Sequence, residues 1–141
     1  MTGKVEHLFI KTTRGATMKP VSRVRVVSAK GLEGDISFGR RSRQLLILEC
    51  EVLDEFDLNP GDLRENITLS GIKISNLESG SHLKIGDVRI EIIGECTPCG
   101  KLNALRDNLQ NSIEGQRGMF GNALNNGVIS IGDTAIVLDE F

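Results

Sequence analysis

From Val88 to Ile93 the chain alternates apolar and charged side chains (Val88, Arg89, Ile90, Glu91, Ile92, Ile93), with turn-forming residues on both sides. A period of two puts every second side chain on one face, as in a strand with one buried and one wet side. Gly86-Asp87 ahead of it suits a tight hairpin turn from a strand over Gly80 to Ile85. Pro98 behind it cannot donate to a sheet ladder and biases Thr97 away from helix, so the strand ends there.

Comparable runs recur. Val5 to Lys11 and Pro20 to Val27 read as the first two strands, joined by a turn or loop through Arg14-Gly15. Gln44 to Leu48 reads as a buried strand, followed by a short helix over Glu49 to Phe56. Asn59-Pro60-Gly61-Asp62 is a turn, and Leu63 to Leu69 leads into another strand. Gly127 to Leu138 reads as a last hairpin, again turned by Gly-Asp. Behind Pro98, Leu102, Leu105 and Leu109 recur at helical spacing, and Gly115 to Gly118 forms a polar hinge. Strands dominate and helices fill gaps. The expected fold is a mainly β (α+β) domain, compact and barrel-like with a few short helices.

The 141 residues suffice for one domain with a real core. Five Phe and no Trp or Tyr make base stacking a poor basis for ligand recognition, so no nucleic-acid partner is expected. No apolar leader and no membrane-length run occur, and the three cysteines are an odd count. These features point to a cytoplasmic protein with reduced thiols and no membrane partner. Charge is uneven. Residues 1–50 carry ten Lys and Arg against four acids, and residues 51–141 seven against fifteen. Basic N-terminal strands could line a site for an anionic ligand, and solvated strand faces explain the same asymmetry.

Cys96-Thr97-Pro98-Cys99-Gly100-Lys101-Leu102 holds the most chemistry. As half of a zinc site it needs two more ligands, and only Cys50, His7 and His82 are on offer at unhelpful spacings. A redox dithiol lacks a βαβ context. Both thiols could also be small buried hydrophobes, the reading preferred for Cys50. The remaining reading is one reactive sulfur, Cys99. A helix start and the neighbouring Lys101 both favour its thiolate, which would coordinate a soft metal or carry sulfane sulfur. The two sulfurs need not converge. The basic loop Gly39-Arg40-Arg41-Ser42-Arg43 can present guanidinium groups to phosphate oxygens or simply lie solvated. No nucleophile elbow, Walker loop or dinucleotide fingerprint is present.

Taken in order, Gly31-Leu32-Glu33-Gly34-Asp35, Arg64-Glu65-Asn66-Ile67, Ile85-Gly86-Asp87 and the Cys96–Leu102 element resemble the MOSC family, the domain named for the C-terminal part of molybdenum cofactor sulfurase. The likeness covers residues 3–139 as a single domain. It implies a compact β-barrel-like fold with a pocket for molybdenum cofactor (molybdopterin), a pterin with a phosphate and a dithiolene-held metal. By the same likeness Cys99 is the molybdenum ligand or persulfide carrier, the catalytic position. Arg64 and Asn66 match the segment that helps hold the cofactor's anionic end, with Arg43 and Lys101 as further cofactor-binding cations. The likeness implies an activity in molybdenum cofactor metabolism or in reduction of N-oxygenated compounds, or else a non-catalytic pterin-binding module. The chain lacks the aminotransferase-like domain of the sulfurases, so pyridoxal phosphate is not expected in it. Sulfur would come from a separate cysteine desulfurase, and a molybdoenzyme is a candidate partner.

Overall fold

The fold is taken from a computed structural model, which describes residues 2–138; the expected domain end, Asp139, lies outside the described residues. Eleven strands and two short α-helices follow one another. They are β1 (Thr2–Ile10), β2 (Lys19–Pro20), β3 (Arg23–Val27), β4 (Gly31–Leu32), β5 (Leu45–Glu49), α1 (Cys50–Glu55) and β6 (Ile67–Ser70). Then come β7 (His82–Ile85), β8 (Val88–Glu95), α2 (Leu109–Ser112), β9 (Met119–Ala123), β10 (Gly127–Ser130) and β11 (Thr134–Leu138). Short 3-10 turns occupy Ile74–Asn76 and Gly100–Ala104.

Seven strands close into a barrel in the order β1-β6-β5-β9-β8-β7-β11, and β11 pairs back onto β1 through Thr2↔Ile136 and Lys4↔Thr134. Closure removes the exposed edges that an open sheet would present. β2 adds to the end of β1, and β10-β3-β4 form a separate three-stranded sheet. The mainly β, barrel-like expectation holds.

Sequence explains most placements. β5 is apolar except at Glu49 and buried along its whole length; it pairs in parallel with β6 on one side and antiparallel with β9 on the other. β8 buries Val88, Ile90 and Ile92 and turns Arg89 outward, and Gly86 takes the positive φ (58°) of the β7–β8 turn. Val5, Ile47, Ile67, Leu83, Ile90 and Ala135 help fill the barrel interior. A second apolar cluster joins α1 to the segments around it through Leu48, Leu53, Leu63, Leu102, Leu109 and Ile113.

Four local expectations change. The run Pro20 to Val27 splits, because β2 joins β1 whereas β3 pairs with β10 and β4. Gly127 to Leu138 is no hairpin. β10 and β11 share a tight turn, with Ser130 donating to Asp133, but they diverge into different sheets. The leucines behind Pro98 form a 3-10 turn and a four-residue helix rather than one continuous helix. Strand β9 was not expected, since Gly121 and Asn122 are poor strand formers. Gly121 is there for clearance, as a Cβ would lie 2.6 Å from Ile90 Cγ2 on the neighbouring strand.

Candidate functional site

Three elements border common cavities. The first is the turn before β6. Gly61 N–H donates to Glu65 Oε2 at 2.8 Å, Arg64 N–H donates to Gly61 O at 2.9 Å, and Asn59 N–H donates to Asp62 Oδ2 at 2.9 Å. Leu63, Glu65 and Asn66 are all buried, so the chain can only project Arg64 outward. It does so from a left-handed backbone, φ 59°. Asn66 faces inward. Its Oδ1 accepts from Leu46 N–H at 2.9 Å, and its Nδ2 donates to Phe9 O at 3.1 Å and Asp35 Oδ1 at 3.2 Å.

The second element is the loop from Asp35 to Arg43. Asp35 is buried and accepts from the backbones of Lys11 and Ser37, which ties the loop to the exit of β1. Buried Gln44 bonds Ala29 O, Arg40 O and Ala123 N–H. Arg43, also left-handed at φ 60°, sets its guanidinium carbon 5.3 Å from the centre of the Phe120 ring.

The third element is the exit of β8. A register shift between Ile92 and Gly94 bends the strand just before the cysteines. Cys96 N–H donates to Gly118 O at 2.9 Å. Cys96 is half-buried, and Cys99 is exposed at the head of the 3-10 turn, whose Leu102 is locked into the second apolar cluster. A five-residue 3-10 turn brings little dipole, so activation of Cys99 by a helix start is weaker than the sequence suggests.

Two concavities result. A cavity of about 330 Å³ is bordered by Arg43, Arg64, Asn66, Cys96 and Arg117, with Leu45, Met18 and Phe120 as apolar wall. A cleft of about 250 Å³ is bordered by Cys99, Lys101, Arg64 and Arg117, with Asp62 and Leu105. Arg64 and Arg117 border both. Cys99, Lys101 and Arg64 thus share one cleft, while Arg43 and Asn66 look into the neighbouring cavity. Cys96, ranked below Cys99 from sequence, lines the larger space.

Sequence reasoning missed Arg117, read as part of a polar hinge. It is only 9% exposed, and its Nη1 is buried with no hydrogen-bond partner among the described residues. Gly118 makes the entry possible: it holds φ 110°, and a Cβ there would lie 2.9 Å from Ile47 O. Burial pulls the Arg117 pKa down, while Cys96, Glu65 and Cys99 pull it up and Arg64 lowers it. Glu65 Oε1 is equally buried and unbonded, and desolvation raises this carboxyl despite bonds from Gly61 and Thr68 and the pull of Arg117. Burial also raises the Cys96 thiol, against the pull of Arg117 and Arg43. A buried guanidinium with spare donor capacity, rimmed by further cations, has the chemistry to accept an anion. The one sequence signal was a lone arginine between Gly115 and Gly118, just ahead of Met119-Phe120.

Among the described residues no three His, Cys, Asp or Glu converge as a metal cage, so a zinc site on Cys96 and Cys99 finds no further ligands. Nor is any helix there long and apolar enough to cross a membrane.

The family model described as MOSC domain matches residues 34–135. The chain is similar to the YuaD protein of Bacillus subtilis, at 22% identity and TM-score 0.82, covering 96% of this chain and 94% of that one. YiiM from Geobacillus stearothermophilus matches at 19% identity and TM-score 0.75, covering 97% and 75%. YiiM from Escherichia coli matches at 20% and 0.73, covering 100% and 71%. At such identities the structural likeness speaks for the fold. A comparison with curated proteins finds no match.

Proposed function

We propose, for a chain that belongs to the MOSC domain family, that it binds a molybdopterin-type cofactor in the basic cavity and uses Cys99 as its working sulfur. The observation that carries the reading is Arg117, which borders both cysteine-bearing concavities and whose buried Nη1 has no hydrogen-bond partner among the described residues.

The residues fit the group. A phosphate needs donors that cannot lose their charge at neutral pH, and Arg117, Arg64 and Arg43 all border the larger cavity. A flat heterocycle needs apolar contact, which Met18, Leu45 and Phe120 offer. The volume is within the range of about 300–1,000 Å³ usual for small-molecule sites. When bound, the cofactor would supply a molybdenum centre able to exchange oxygen or sulfur.

The chain's own part is to hold and orient. Arg117, Arg64 and Arg43 would donate to the anion, and Lys101 adds positive charge in the neighbouring cleft. The Asp35–Asn66 bond keeps the cavity floor in place. Cys99 would offer the metal a soft donor. As a sulfur carrier, its thiolate attacks the outer sulfur of a donor persulfide; the donor S–S bond breaks and the donor thiolate leaves. The partners of this reading are a separate cysteine desulfurase as donor and a molybdoenzyme as recipient, in the cytoplasm, with no pyridoxal phosphate in this chain.

Purification from a cofactor-producing host, followed by metal and pterin analysis, tests the reading. The wild type should carry both, Arg117→Met should lose both, and Cys99→Ser should lose metal first. Failure to load beside a MOSC-domain control that loads would overturn it. A second reading, a non-catalytic pterin- or anion-binding module, draws on the position of Cys99 outside the larger cavity. It expects pterin retained equally in Cys99→Ser, and no added sulfur on Cys99 after treatment with a persulfide donor.

A further inference from the structure

Cys96 has no task in the proposed function, yet it lies closer than Cys99 to the heart of the site. It lines the larger cavity, Cys99 opens on the smaller cleft, and Arg64 and Arg117 form the shared border. The exposed sulfur of Cys99 meets a bulky donor more readily than the half-buried one of Cys96. Cys99 acts electrostatically on the Cys96 thiol, and both cysteines act on Arg117, so the three groups occupy one neighbourhood. A buried cation beside Cys96 offsets part of the cost of a thiolate there.

The connecting backbone offers little resistance to closure. The Cys96 N–H is tied to Gly118 O, and Cys99 O accepts from Leu102 N–H. Between these anchors Thr97 and Cys99 donate no backbone hydrogen bond among the described residues, and Pro98 has no N–H to donate. The segment 96–99 belongs to neither strand nor helix. At full extension its ends lie about 10 Å apart, and a disulfide wants Cα atoms about 5.5–6 Å apart. Contraction of Thr97-Pro98 would bring them together without breaking a ladder.

We propose that Cys96 is the resolving thiol of a persulfide on Cys99, converting the sulfane sulfur that Cys99 accepts into free sulfide inside the basic site. The proposal rests on the reading that Cys99 takes up sulfur. The Cys96 thiolate attacks the inner sulfur of Cys99–S–SH. The Cys96–Cys99 disulfide forms, the bond to the outer sulfur breaks, and hydrosulfide leaves with the electron pair. The outer sulfur is reduced to sulfide as the two thiols are oxidised to the disulfide. A cellular dithiol or low-molecular-weight thiol then returns the disulfide to two thiols. Sulfide released beside Arg117 and Arg64 is an anion delivered where the cations already are.

Glutathione persulfide, added in slight excess to fully reduced protein with no other thiol, tests this. The wild type should release about one sulfide per chain and show a Cys96–Cys99 link in non-reducing peptide mass spectrometry. Cys96→Ser and Cys96→Ala should keep the added sulfur on Cys99 and release sulfide at least about tenfold more slowly. Equal release from wild type and both variants, or an intact persulfide recovered on Cys96, would overturn the resolving role. Failure of Cys99 to take up sulfur in any of the three proteins would instead overturn the reading beneath it.

Discussion

The side-chain amide of Asn66 donates to Oδ1 of Asp35 at 3.2 Å, joining two segments that are 31 residues apart in sequence. Both side chains are buried, and Asp35 has backbone donors from Lys11 and Ser37 besides. The pair holds the loop carrying Arg40 and Arg43 against the turn carrying Arg64. Asn66 therefore serves the site by placing its cations, with its amide spent within the fold.

Asn66→Ala should cost about 1–3 kcal/mol, because Leu46 N–H and Phe9 O lose their partner in a buried place. A double-mutant cycle with Asp35→Ala, followed by urea unfolding, should show coupling between the two changes. Additive effects would mean that the bond has no energetic consequence.

Arg117→Met should divide stability from function. An uncompensated guanidinium in a buried site is costly, so a methionine of similar length should be neutral or stabilising by about 1–4 kcal/mol. Inorganic phosphate should raise the melting temperature of the wild type and leave that of the variant unmoved. Calorimetry with and without phosphate checks both halves.

Glu65 predicts a pH dependence. Desolvation raises its pKa in the folded protein above the ordinary value of 4.5. A raised carboxyl binds its proton more tightly when folded. Its contribution is therefore fully present below 4.5 and is lost as pH rises through the folded value. Glu65→Gln should flatten that fall and gain stability relative to wild type at neutral pH, while differing little in acid. Urea midpoints across pH would show it, and parallel curves would contradict it.

Arg64 stands at φ 59°, where an L-residue is strained by about 1–2 kcal/mol. Arg64→Gly and Arg64→Ala remove the same guanidinium, but only glycine accepts the backbone. The glycine variant should be more stable than the alanine one by about 1 kcal/mol, and both should lose phosphate binding alike.

Alkylation should rank the thiols. Cys99 is exposed and should react first with iodoacetamide. Burial and Glu51 push the Cys50 thiol up to about 11, which leaves about a thousandth ionised at pH 8. Peptide mapping over time should find Cys50 last. Labelling of Cys50 before Cys99 would contradict the assignment of the working sulfur.

Much of the fold was legible because its strands signal themselves locally. Alternation in β8, the unbroken apolar run of β5 and the Gly86-Asp87 turn each need only neighbours in sequence to be read. What stayed hidden depends on partners far along the chain. β10 and β11 look like a hairpin until Val24, Leu83 and Gly3 claim their edges. β9 has a poor strand composition because a Cβ at Gly121 would run into the Ile90 side chain, diagonal to it on β8. At the site, Cys99, Lys101 and Arg64 carried a recognisable spacing. Arg117 did not, since its meaning comes from burial between Glu65 and the two thiols, which no local pattern records.

The pairing of β1 with β11 also has a kinetic side. β1 finds one of its two flanking neighbours only when β11 has been made, so the ring can shut only once the chain through Leu138 has emerged from the ribosome. Until then β1 and β7 each keep an unpaired edge toward the absent β11. A nascent chain stalled before Thr134 would be a sticky intermediate, and chaperone demand should persist until β11 pairs.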